Sequence, residues 1–280
     1  MEAASKPFTT KSAAVPVVFC CKKTEVFERV LTGLFLLYTF LPICSVLLFS
    51  LAGKWTGTIL PEVWSVEAYI SIASNPDFWG ALGRSMIMGV SVALIDIFVV
   101  LTALLGVTLM DDDRAAGWME MVAIIPLALP GVTLALGSVL FYGKVMPVLL
   151  GTPALLILTA AAFGIPFVFW TMQNAFRNMP IRSMYEAACT MGATTPQFIV
   201  RILMPNLRSG MLAAGIMAFT SAFNDYALTL MITGAGWNTL PLMQSNYAKI
   251  DGHQTNAIAI VSIVITFVLA VSVARIKRTR

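Results

Sequence analysis

The chain has 280 residues, of which 58% are hydrophobic and 11% charged, and its formal net charge is +4. A soluble domain carries about 25% charged residues, so this composition excludes a chain surrounded only by water and makes the bilayer much of its solvent. The small positive balance does not point to nucleic acid; where the basic residues fall is more informative than their sum.

The first 29 residues hold Lys6, Lys11, Lys22, Lys23 and Arg29 and read as a cytoplasmic N-terminal segment. The apolar stretch that follows is too long for a signal peptide and lacks a small-residue cleavage site, so a retained first span is expected. Crossing the hydrocarbon takes about 20 apolar residues. Six stretches qualify: Val30–Leu51, Ser85–Met110, Trp118–Phe141, Pro153–Phe176, Met211–Ile232 and Thr255–Ala274. They define an all-α, six-helix transmembrane domain over residues 30–275, with a tail at 276–280.

Between the first two spans, the segment from Gly53 to Trp79 carries Trp55, Trp64, Trp79, Pro61 and Pro76. Aromatic residues at such places anchor at the membrane interface or form a docking surface. The loop Asp111–Arg114 after the second span is acidic. The third span carries Pro126, Pro130 and Gly131, and the fourth Gly164 and Pro166. A mid-span proline frees backbone groups that neighbouring helices or a water-lined cavity must satisfy. The segment Gly137–Val145 looks faintly like a phosphate-binding loop. Its glycines are one residue too far apart, Val145 stands where Ser or Thr is needed, and no strand precedes it.

The loop after the fourth span holds Arg177, Arg182, Arg201 and Arg208, and the tail holds Arg275, Lys277, Arg278 and Arg280. With six spans these regions share a side with the basic N-terminal segment, while the other side has Lys54, Lys144, Lys249 and Arg84. The positive-inside rule therefore puts both termini in the cytoplasm.

Within that basic loop, Ser183 with Glu186 reads as a capping box. A helix is expected from there to about Met191, ended by Gly192 in the left-handed conformation. Thr195 is expected to cap a second helix with Pro196 at its first position, and Pro205 to stop it. Tyr185, Ala188 and Met191 on the first helix, and Phe198, Ile202 and Leu203 on the second, are apolar. Helices this short need packing partners, supplied either by the chain's own spans or by a soluble subunit with a groove.

The residues Glu186-Ala187-Ala188, then Gly192, then Ile202-Leu203-Met204-Pro205 resemble the EAA loop of the membrane permease subunits of type I ABC importers, with Met204 the one departure. That resemblance implies a bacterial inner-membrane, multi-pass, binding-protein-dependent permease that is not itself an enzyme. ATP and Mg would be bound by a cytoplasmic ABC ATPase dimer. Other implied partners are a second permease, expected to be a paralogue, and an external substrate-binding protein. The coupling helices would span 177–208, with Tyr185, Glu186, Ala187, Ala188, Gly192, Phe198, Ile202 and Pro205 serving the ATPase contact, the apolar ones by filling its cleft. No HExxH or GxSxG pattern occurs and His253 is the only histidine, so catalysis in this chain is not expected.

Two carboxylates lie within apolar spans, Asp96 and Asp225. An ionisable group at mid-bilayer costs about 2.5–3.5 kcal/mol on insertion scales, so each is either a path-lining group or a satisfied inter-helix partner. The stretch Phe219–Leu242 looks most like the spermidine/putrescine branch of these permeases, which carries an acidic pair where this chain has Asn224 and Asp225. The resemblance implies an amine-bearing solute: a polyamine, aminoethylphosphonate or an opine-like compound. An ion-gradient-driven secondary transporter is the alternative; it would need coupling-ion residues and internal repeats and would leave the EAA-like loop unexplained. A membrane scaffold is a weaker one, since it has no use for broken spans.

Overall fold

The computed structural model describes residues 22–55, 58, 60–110 and 112–278; Lys6, Lys11, Cys20, Cys21, Asp111 and Arg280 lie outside the described residues. The chain divides at Ser45 into two units. The first contains most of α1 (Lys22–Ser50), whose side chains Leu34, Phe35, Leu37 and Tyr38 are exposed on all sides. A helix apolar all round suits lipid as its surroundings.

The second unit is built on three long helices, α3 (Pro76–Met110), α6 (Pro153–Arg177) and α9 (Met204–Phe223), which pack against one another. Met88 and Val92 from α3, Leu156, Phe169 and Met172 from α6, and Leu207, Ala214 and Phe223 from α9 are buried between them. Lipid is as apolar as leucine, so close packing has to hold the helices together. Small residues permit it: a Cβ on Gly89 would lie 2.7 Å from the Phe219 ring. The 35 residues of α3 make a helix about 52 Å long, well beyond the roughly 30 Å of hydrocarbon. Its lipid-facing side exposes Leu94 and Phe98.

The third expected span is two helices, α4 (Asp113–Ala128) and α5 (Gly131–Val145), set at 97° to each other. Leu129 and Pro130 between them are extended, because Pro130 disfavours helix at the residue before it and cannot donate a helical hydrogen bond. At 16 and 15 residues neither half is long enough to cross alone. Among the described residues five helices are long and apolar enough to cross singly, and the bent pair, taken as one span, brings the count to six.

The fifth expected span also differs. It breaks after Phe223 and resumes as α10 (Ala227–Ile232), which packs on α5. The last span is α12 (Gly252–Arg278).

At the end of α3 nearest Pro76 lie several short elements. A two-stranded antiparallel ribbon, β1 (Ala52–Lys54) with β2 (Val63–Trp64), pairs Ala52 with Trp64 and Lys54 with Val63. It leads to α2 (Glu67–Ser74), which packs on α12. Arg84 donates to the carbonyl of Asn238 at 2.7 Å, and the Ser85 hydroxyl accepts the N–H of Leu240 at 2.8 Å. These bonds seat the loop before α11 (Leu240–Tyr247). Trp64 and Trp79 are exposed there, while Trp55 and Trp79 donate to the carbonyls of Thr58 and Ala73. His253, in the first turn of α12, stacks on Phe49 with ring centroids 4.6 Å apart, and its Nδ1 lies 3.0 Å from the Phe49 carbonyl oxygen. The ring is thereby fixed as a structural contact. The segment Gly137–Val145 lies inside α5, where its backbone amides are already committed to the helix.

Candidate functional site

After α6 ends at Arg177, a short turn leads to a helical hairpin: α7 (Ile181–Thr190), a turn at Gly192, and α8 (Thr195–Phe198). The N-cap of the first helix lies three residues before the expected Ser183. Pro180 stands at its N-cap, so Ser183 is already inside the helix and has no orphan N–H group to serve. Glu186 turns instead to Arg182, one helical turn before it, at 3.1 Å on the exposed side.

The end of α7 follows the sequence closely. Gly192 has φ +80°, a conformation a β-branched residue takes only under strain. The Gly192 N–H donates to the Cys189 carbonyl at 2.9 Å and the Ala193 N–H to the Ala188 carbonyl at 3.0 Å, the paired bonds of a Schellman termination. The second cap sits one residue before the expected one. Thr194 is the N-cap, and the Gln197 side chain accepts its N–H at 2.9 Å; Pro196 falls within the first turn. The two helices are tied to each other by the Tyr185 hydroxyl, 3.0 Å from the Thr195 hydroxyl, and by the Tyr185 ring, edge-on to Phe198 at 5.1 Å.

Pro205 does not stop the second helix. The chain stays helical from Thr195 to Phe223, passing through a wider π turn at Ile199–Leu203. That turn makes room for the proline ring and removes the need for its missing N–H. Pro205 thus sits in the first turn of α9.

The hairpin sorts its apolar residues into two sets. Ile181, Ala188, Phe198 and Leu203 are buried, Tyr185 and Ile202 half-buried. These hold the hairpin together and to its spans; Ala188 and Phe198, which the resemblance implies fill a partner's cleft, are among the buried ones. Ala187 and Glu186 face water. Met191 is 77% exposed and Val200 62% exposed. Val200 was not among the expected contact residues; its only sequence signal is an apolar side chain at an exposed helical position beside Arg201.

The polar residues of the spans have different surroundings. Asp96 is fully buried within α3, and neither of its carboxyl oxygens has a hydrogen-bond partner among the described residues. It faces Gly164 of α6, where any side chain would collide with Oδ2. Asp225 sits at the break before α10. Its Oδ2 accepts the N–H groups of Leu228 at 2.9 Å and Thr229 at 3.2 Å, satisfying two of the orphan donors of that helix. Asn224 is exposed, and its side-chain amide donates to the Thr220 carbonyl at 3.0 Å. Asp96 shares no hydrogen bond or ion pair with Asn224 or Asp225.

One polar group has no counterpart in the sequence reading. Glu120 of α4 accepts from Arg177 at 2.7 Å and from Gln173, both on one face of α6. The partners are 53 and 57 positions away, so only a lone acid within the apolar run Trp118–Val122 hinted at it. Among the described residues no group of three or more His, Cys, Asp or Glu is placed to hold a metal.

Comparison with known proteins now gives this arrangement a family. Residues 98–278, more than half of the chain, match the family described as binding-protein-dependent transport system inner membrane component. The putative 2-aminoethylphosphonate transport system permease protein PhnV of Salmonella typhimurium is 27% identical over 88% of this chain and 91% of its own length. The trehalose transport system permease protein SugB of Mycobacterium tuberculosis is 27% identical over 90% of this chain and 93% of its own. The spermidine/putrescine transport system permease protein PotC of Escherichia coli is 25% identical over 45% of this chain and 47% of its own. Among solved structures, a chain of a bacterial ABC transporter that imports alginate superposes with a TM-score of 0.68 at 17% identity, covering 96% of this chain and 99% of that one. A chain of the MetNI methionine ABC transporter gives 0.53 at 20% identity, covering 74% and 98%. These structural likenesses establish the fold, and the relatives are permeases rather than enzymes. The chain belongs to the binding-protein-dependent transport system inner membrane component family: it is a multi-pass permease subunit of an ABC importer, built on the type I fold.

Proposed function

We propose that this subunit passes a small solute bearing one amine, of the 2-aminoethylphosphonate kind, into the cytoplasm ahead of any polyamine. Asp225 is the observation that carries the reading. One of its oxygens is held by the α10 backbone, while Oδ1 makes no hydrogen bond among the described residues. A single carboxylate with one uncommitted oxygen suits one ammonium group, and Asn224 beside it supplies an amide in place of a second charge. PhnV, whose name specifies an aminoethylphosphonate system, aligns over most of the chain, whereas PotC aligns over less than half. Asp96 would meet the path only in a state where α3 and α6 separate.

The hairpin supports the coupling role. Met191 and Val200 stand out from a hairpin whose other large apolar side chains are turned inward, which suits a shallow cleft in a cytoplasmic ABC ATPase dimer that binds ATP and Mg. Both chain termini would lie on that same cytoplasmic side. A paralogous second permease would complete the path, and an external binding protein would dock on the face carrying the ribbon, α2, Trp64 and Trp79.

The test is uptake of radiolabelled 2-aminoethylphosphonate and putrescine by cells carrying the whole transport system. Accumulation of the phosphonate with wild type, cut at least tenfold by Asp225→Asn, is the expected result. Phosphonate uptake unchanged by Asp225→Asn, or uptake of putrescine alone, would overturn the assignment.

A further inference from the structure

The Glu120 contact ties α4 to α6 at the end of α6 that leads into the hairpin. The half-span α4 ends in a 97° bend at Leu129–Pro130, so the backbone does not stiffen it against α5. Its principal helical neighbour is α6. On that interface Glu120 Oε1 accepts from Gln173 and Arg177, at 2.7 Å from the latter. These donors are four residues apart and therefore on one face of α6. Arg177 is the last residue of α6, and Ile181, buried at the start of the hairpin, follows after a turn of three residues. The carboxylate thus grips the turn of α6 that leads directly into the hairpin. Its side chain is 41% exposed and that of Arg177 66% exposed, so water competes for the pair, and adding stability is not the main consequence of such a contact. Fixing one helix relative to another is a consequence that two convergent hydrogen bonds on a single oxygen do deliver. Beyond the bend, α5 packs on α10, the helix that Asp225 caps.

We propose that Glu120, Gln173 and Arg177 are positioning residues that clamp α4 to the hairpin end of α6, so that a displacement of the hairpin carries α4 with it. The proposal rests on the coupling role of the hairpin given above. It requires the clamp to persist through the transport cycle, in contrast to a latch that opens.

The test uses the complete complex with its ATPase, reconstituted in lipid, with spin labels at Trp118→Cys on α4 and Leu158→Cys on α6, both positions exposed. The α4–α6 distance is read with and without vanadate-trapped nucleotide, in a background where Cys20, Cys21, Cys44 and Cys189 are serine. In wild type the two states should give the same narrow distance. Glu120→Ala should broaden it or make it state-dependent, and the swap of Glu120→Arg with Arg177→Glu should narrow it again. The second readout is a disulfide between Glu120→Cys and Gln173→Cys. The oxidised complex should turn over ATP within about twofold of wild type, because a persistent clamp loses nothing by becoming covalent. A wild-type distance that changes between states, an unaltered distance in Glu120→Ala, or turnover stopped by the disulfide each overturns the clamp. ATPase co-purification, read on every variant, reports the coupling reading separately, since loss of the ATPase from wild type would sink that reading and the clamp with it.

Discussion

The hairpin Ile181–Leu203 and the three-helix packing of α3, α6 and α9 treat polar groups in opposite ways. In the hairpin polar groups are met by near neighbours: Thr194 by Gln197, Tyr185 by Thr195, Arg182 by Glu186. Asp96, in the packed spans, has no hydrogen-bond partner among the described residues, and Asp225 serves the backbone of α10. Water would forgive an unmet group in the hairpin, yet the caps are made; the bilayer forgives nothing, yet a carboxyl is left unmet. The caps fix a shape that leaves Met191 and Val200 exposed. The unmet carboxyl is held by packing, at a site where Gly164 leaves just enough room.

This contrast can be broken most strongly at Gly164. Gly164→Leu places a side chain where Asp96 Oδ2 lies, and overpacking of this kind costs about 1–3 kcal/mol or more. We predict loss of a monodisperse detergent-solubilised subunit by fluorescence-detected size exclusion; a normal profile would mean that α3 and α6 are free to part. Asp96→Val should act in the other direction, because an unpartnered buried carboxyl is removed and no side-chain atom reaches the place of Oδ2. A gain of about 1–3 kcal/mol is expected, read as a raised melting temperature, and a lowered one would show that the carboxyl has a partner in the membrane. At the break, Asp225→Ala loses a cap and should cost about 1 kcal/mol, whereas Asp225→Asn keeps the cap within a few tenths. Equal thermal stability of the two variants would remove the capping account. The smallest effect belongs to the hairpin tip. Met191→Ser with Val200→Ser should change melting by less than about 0.5 kcal/mol, as exposed substitutions do, while weakening ATPase recovery. Undiminished recovery would move the contact elsewhere on the hairpin.

What was legible in the sequence follows the same division. The positive-φ turn at Gly192 is a local event, and the EAA-like residues with their spacing located it. The start of the first helix was misplaced because Ser183 and Glu186 satisfy the capping pattern equally well from inside a helix that Pro180 had already opened. The second cap slipped by one because Thr194 and Thr195 are adjacent and chemically alike. Pro205 reads as a stop in any local scheme; a π turn, set by how α9 packs, lets the helix continue. Pro126 and Pro130 announced a break without its angle, which depends on neighbours α6 and α10. The Glu120 grip on Gln173 and Arg177 joins residues far apart in the chain, and the apolar pattern around Glu120 carries no trace of them. The two carboxylates were identified by position alone, and only the packing distinguishes the enclosed Asp96 from the capping Asp225.

We propose that the hairpin's shape, set by Gly192, is what engages the ATPase. The direct measurement is co-purification of the tagged chain from membranes, wild type against Gly192→Val, with insertion checked in parallel and bound ATPase quantified. At φ +80° a β-branched residue is strained by about 1–3 kcal/mol, enough to reshape a hairpin of this size while the spans insert normally. ATPase recovered with wild type and lost with Gly192→Val is the predicted result. Equal recovery with both, at normal insertion, would contradict the account.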